Sequence, residues 1–179
     1  WDWLAKQYPD RPRYIFGHSL GGAIAIELAA QVTDEAGTLV EGTFTSIPDV
    51  VSSYKWGWLP VGPLITQRFE AIERVKQIGA PLLVVHGSED RTIAPELGRR
   101  LYDAATGRKA FVLVEGGSHH NTNAVGQPQY RVALAELRAY LLTGEGQFNQ
   151  SFDEKWGIAS KALVEVNRLS SIMPQAQVE

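Results

Sequence analysis

The chain contains no cysteine. That excludes a disulfide framework, a thiolate metal site and a cysteine nucleophile, so any covalent catalysis must rest on another side chain. No run approaches the roughly 18 apolar residues that cross a bilayer. Nor does a basic stretch followed by an apolar one open the chain, as a secretory leader would. Cations are neither in excess nor clustered: 17 Lys and Arg face 20 Asp and Glu, for a formal net charge of −3. Phosphate backbones are bound by clustered cations, so nucleic acid is not an expected partner. The compartment stays open, because a chain without cysteine suits reducing and oxidising surroundings alike.

What is present is enough apolar material, 44% of 179 residues, to build a sizeable core. Short β-branched or apolar runs alternate with longer helical patterns, the signature of βαβ units and a parallel sheet with flanking helices. Strands are expected at Arg13 to Phe16, Glu41 to Ile47, Leu82 to Val85 and Ala110 to Val114, each ending in a polar or glycine-rich turn. Helices are expected at Gly21 to Val32, Thr66 to Ile78, Pro95 to Ala105 and Pro128 to Leu142, the last two with proline at the first position. Residues 48 to 65, with Pro48, Pro60, Pro63, Tyr54, Trp56 and Trp58, read as a long irregular excursion. Gly144 and Gly146 mark a domain end, giving a domain over 1 to 143 and an extension over 144 to 179 with a helix at Phe152 to Leu169. The opening Trp1-Asp2-Trp3-Leu4 enters what reads as the latter part of a helix, so an upstream segment is expected.

Gly17-His18-Ser19-Leu20-Gly21-Gly22 fits G-x-S-x-G and sits between an apolar strand and a helix. Glycines flank the serine where a tight strand-to-helix turn leaves no room for a Cβ, and the hydroxyl is thereby exposed. The three fixed positions alone recur by chance in about 6% of chains of this length, so the context must carry the reading. Two further residues supply it. Asp90 follows the buried strand pattern in His86-Gly87-Ser88-Glu89-Asp90, and His119 follows the last strand in Gly116-Gly117-Ser118-His119-His120. Parallel strands bring their C-terminal ends to one rim, where a hydroxyl, an imidazole and a carboxylate can act in sequence.

Each residue also has an ordinary structural use. Ser19 suits a helix N-cap and Asp90 a turn before a helix. Glu89 competes with Asp90 and His120 with His119, while His18 and His86 read as packing residues beside the site. A metal site from His86, His119, His120 and Asp90 is disfavoured, because no helical H-x-x-x-H pair occurs.

These segments resemble the α/β-hydrolase family: Gly17 to Gly22 its nucleophile elbow, His86 to Asp90 its acid strand, and Gly116-Gly117-Ser118-His119 its histidine loop. Pro60-Val61-Gly62-Pro63 with Arg68-Phe69 and Pro81-Leu82-Leu83 is similar to the short-cap branch described as serine aminopeptidase-like or lysophospholipase-like. The resemblance covers about residues 1 to 143 and implies a partial α/β-hydrolase fold, strands five to eight of about eight, with the N-terminal half of the domain expected elsewhere. It implies a serine hydrolase of a carboxylic ester, thioester or amide, acting on a small acyl substrate without cofactor or metal. Ser19, Asp90 and His119 would be catalytic, and the Leu20 N–H one oxyanion-hole donor. The missing early loop would donate the second. A non-catalytic binding module that keeps the fold, or an inactive fragment, would share these features.

Overall fold

The computed structural model describes residues 1–54 and 65–128, together with 131, 132 and 135. Its elements run α1 (Asp2–Gln7), β1 (Tyr14–His18), α2 (Leu20–Ala29), β2 (Gly37–Glu41) and α3 (Ile47–Ser53). They continue with α4 (Ala71–Arg74), a 3-10 turn (Val75–Gln77), β3 (Leu82–Gly87), α5 (Pro95–Ala104), β4 (Lys109–Val114) and α6 (Thr122–Val125). Of two compact units, Trp1–Gly126 and Gln127–Glu179, the first holds all of these elements. The expected helices at 128–142 and 152–169, and the expected boundary near residue 143, lie outside the described residues but for single positions of the former.

The four strands pair in the order β1-β2-β3-β4, all parallel. Both neighbours of β3 are strands and all six of its residues are buried, which explains its nearly uninterrupted apolar run. One core joins α2 (Ala23, Ala25, Ile26, Ala29) to the sheet (Ile15, Val40, Leu82, Val84), to the α4 segment (Ala71, Val75) and to α5 (Leu97, Leu101). Fully burying a side chain such as Leu101 contributes about 1.5–3 kcal/mol. Pro95 starts α5 at a position whose N–H a helix does not use. Among the described residues β1 is an outer strand, with Tyr14 and Phe16 exposed, and no helix is long and apolar enough to cross a membrane.

Two expected elements are corrected. The strand expected over Glu41 to Ile47 ends where it was to begin: β2 is Gly37–Glu41, because Gly42 takes φ +54 and turns the chain out of the ladder. Ser46 then caps α3, accepting the Asp49 N–H at 3.2 Å, so part of the supposed irregular excursion is helix. The helix expected over Thr66 to Ile78 is reduced to α4 and its 3-10 turn. Phe69 at φ +46 interrupts the helical path just ahead of them.

Candidate active site

β1 delivers the chain into Ser19, and α2 begins at the next residue. Ser19 has φ 55 and ψ −124, a region that non-glycine residues avoid, at about 1–3 kcal/mol. Three hydrogen bonds hold it there. Its N–H donates to the Glu41 carbonyl at 2.9 Å, and its own carbonyl accepts from the Gly22 N–H at 2.9 Å and the Thr43 hydroxyl at 2.8 Å. A Cβ on Gly17 would lie 2.2 Å from the Gly21 carbonyl oxygen, and one on Gly22 would lie 2.5 Å from Thr43 Cβ. Gly21 differs from expectation: a Cβ there meets nothing within 4 Å among the described residues. The crowding is therefore between Gly17 and the helix, and between Gly22 and the loop after β2. Leu20 opens α2, so its N–H is one of the first-turn amides without an intrahelical acceptor.

Asp90 and His119 converge on Ser19 from the ends of β3 and β4. The Ser19 hydroxyl lies 3.0 Å from His119 Nε2, and His119 Nδ1 lies 2.8 Å from Asp90 Oδ2. A carboxylate only accepts, so Nδ1 carries the proton and Nε2 is left to accept from the serine. Asp90 Oδ1 accepts the N–H groups of Thr92 at 2.9 Å and Ile93 at 2.8 Å. Burial alone would push this carboxyl up. Hydrogen bonds from His86, the Ile93 N–H, His119 and the Thr92 N–H outweigh it and hold the group far below the usual carboxylate range. Of the rivals, Glu89 is exposed. His120 is exposed too, with its ring edge-on to His119 at 5.2 Å between centroids.

No family model matches the chain. Over 142 residues it is 34% identical to an uncharacterized protein of Mycobacterium tuberculosis, covering 78% of this chain and 49% of that one. Over 126 residues it is 30% identical to lysophosphatidylserine lipase ABHD12 of Macaca fascicularis, covering 62% of this chain and 32% of the relative. The esterase domain of a Rhodothermus marinus protein superposes with a TM-score of 0.58 at 21% identity, over 76% of this chain and 64% of that one. The chain has a partial α/β-hydrolase fold. It spans about half the length of the mycobacterial relative and a third of the lipase.

Several residues of this candidate site escape a reading of motifs. His18 Nε2–H donates to the His119 carbonyl at 2.9 Å and so ties the histidine loop to the elbow. Gly42 passes so close to the acid and imidazole that a Cβ would sit 3.4 Å from both Asp90 Oδ2 and His119 Nδ1. Thr43 steadies the serine as described, and His86 lies 3.3 Å from Asp90 Oδ2. The available signals were a threonine-rich run directly after a strand and a histidine at the end of a wholly apolar one. Of the aromatics 54 to 58, Tyr54 hydrogen-bonds the Thr92 carbonyl at 2.7 Å; Trp56 and Trp58 lie outside the described residues.

Proposed function

We propose that the chain is the nucleophile-bearing part of a serine hydrolase that cleaves a carboxylic ester, thioester or amide through an acyl-enzyme. One observation carries the reading: an unbroken hydrogen-bonded line from the Ser19 hydroxyl through His119 to a buried, ionised Asp90. Ser19 Oγ attacks the acyl carbonyl as His119 Nε2 takes its proton, and the imidazolium so formed is stabilised and oriented by Asp90. His119 then returns the proton to the leaving group, and water repeats the sequence on the acyl-enzyme. The Leu20 N–H donates to the oxyanion. A second donor, and strands pairing along the outer edge of β1, are expected from the N-terminal half of the domain. The reading needs neither metal nor organic cofactor. The relative named as a lysophosphatidylserine lipase favours an acyl ester of a lysophospholipid among the three substrate classes.

A fluorophosphonate probe tests the reading directly. Wild-type protein is labelled at Ser19, and Ser19→Ala is not. Labelling that persists in Ser19→Ala removes Ser19 from the mechanism, while a folded wild-type protein that never labels favours a binding module that keeps the fold. His119→Ala lowers labelling by roughly 10⁴-fold or more, whereas His120→Ala stays within about tenfold of wild type.

A further inference from the structure

His86 stands on β3 four residues before Asp90, and its side chain is completely buried. Its Nε2 is 2.9 Å from the Ile93 carbonyl oxygen and 3.3 Å from Asp90 Oδ2. Both neighbours are acceptors, so Nε2 carries a proton. Its other nitrogen, Nδ1, has no hydrogen-bond partner among the described residues. It packs against α5 at Gly98, where a Cβ would lie only 2.4 Å from Nδ1. The geometry therefore selects the tautomer protonated at Nε2.

We infer that His86 is a positioning residue: its Nε2–H, shared between the Ile93 carbonyl and Asp90 Oδ2, fixes the carboxylate oxygen that orients His119. The inference deepens the hydrolase reading and rests on it. Oδ1 of Asp90 is held by the Thr92 and Ile93 N–H groups of its own turn. Oδ2 receives His119 from a separate loop, and without His86 nothing on the rigid strand would restrain that oxygen. The Ile93 contact closes the turn onto the same imidazole, so carboxylate and turn are referenced to β3 by one ring. Gly98 makes this possible by leaving room for the ring. The titratable groups facing the carboxylate are His86 from β3 and His119 from the loop after β4, and the loop after β2 brings the backbone of Gly42.

Three measurements on the protein with the N-terminal half of the domain in place test the inference. In 15N-histidine NMR of the unmutated protein, His86 is expected as the Nε2–H tautomer. An Nδ1–H tautomer overturns the proposal without any variant having to fold. In 13C-carboxyl NMR, His86→Leu is expected to raise the Asp90 titration midpoint, with His86→Gln, whose amide can donate, lying between; an unmoved midpoint in His86→Leu overturns it. Fluorophosphonate labelling of His86→Leu is expected to slow by about tenfold to a hundredfold, the loss of one hydrogen bond to a charged group, and its acid limb to shift to higher pH. His86→Gln should recover part of the rate, and an equal loss in both variants with unshifted limbs would mean general loosening and overturn the role. If wild type itself fails to label while the two NMR results hold, it is the hydrolase reading that fails and not the placement of His86.

Discussion

Two carboxyl groups are buried to nearly the same degree at opposite rims of one sheet, and they end in opposite electrostatic states. Asp90, just past the C-terminal end of β3, is 5% exposed; Glu35, two residues before β2 begins, is 8% exposed. Burial pushes both up. At Asp90 four donors reverse that push. At Glu35 burial prevails over two backbone N–H groups, its own and that of Ala80, with Asp34 adding repulsion, and its Oε1 has no hydrogen-bond partner among the described residues. What separates a poised acid from a merely tolerated one is the number of donors aimed at it, not the depth at which it lies.

Removing the charge at the C-terminal rim should produce the largest effect. In Asp90→Asn an amide NH₂ placed at Oδ2 would face two N–H groups, from His86 and His119, and His119 would be driven to the wrong tautomer. Turnover of an activated ester is expected to fall by about 10⁴-fold. Stability should respond as well. The folded pKa of Asp90 lies below its unfolded value of about 3.9, so its contribution is fully present above that value and is lost as pH falls toward the folded one. Urea melts from pH 7 to pH 3 should show wild type losing part of its advantage over Asp90→Asn as acid is added. Parallel curves would mean that the donors do not hold the charge.

Backbone crowding draws the same contrast more mildly. A Cβ on Gly17, at the C-terminal rim, meets the Gly21 carbonyl oxygen at 2.2 Å and Ala25 Cβ at 2.7 Å; one on Gly79, ahead of β3 at the other rim, meets nothing within 4 Å among the described residues. Gly17→Ala is expected to destabilise by about 2 kcal/mol or more, through strain between β1 and α2. Gly79→Ala should be neutral or stabilise by up to about 1 kcal/mol, by narrowing the unfolded ensemble. Equal losses in a chemical denaturation series would erase the difference between the rims.

The contrast between rims also explains what was legible in the sequence. Gly17 to Gly22, Asp90 and His119 could be read because a sharp turn and two strand ends leave local marks: glycines, a proline after the acid, a glycine pair before the histidine. The strand expected at Glu41 to Ile47 failed because Thr43, Phe44 and Thr45 favour strands on their own. In the fold Thr43 gives its hydroxyl to Ser19, Phe44 enters the core, and Gly42 bends away over Asp90. Tertiary demand overrode propensity. Phe69 carries no local sign of its positive φ, so the helix expected from Thr66 was drawn too long. His86 read as packing because its partners, Asp90, Ile93 and Gly98, are gathered only by the turn and helix that follow.

The smallest expected effect belongs to Glu35, and its sign is the opposite of that at Asp90. A carboxyl whose folded pKa is raised resists ionisation in the folded state, so its burden is absent below the unfolded pKa of about 4.3 and complete once pH exceeds the folded value. Glu35→Gln keeps nearly the same shape, keeps an oxygen for the two backbone N–H groups and carries no charge. It should therefore raise the melting temperature modestly at pH 7, with the gain shrinking as pH falls and vanishing below about pH 4. Glu35 sits at the rim opposite Ser19, so fluorophosphonate labelling should proceed as in wild type. Melts of both proteins across that range decide the matter. A variant less stable at pH 7 would show that the Glu35 carboxylate is held by partners as strong as those of Asp90, and the distinction between the two rims would collapse.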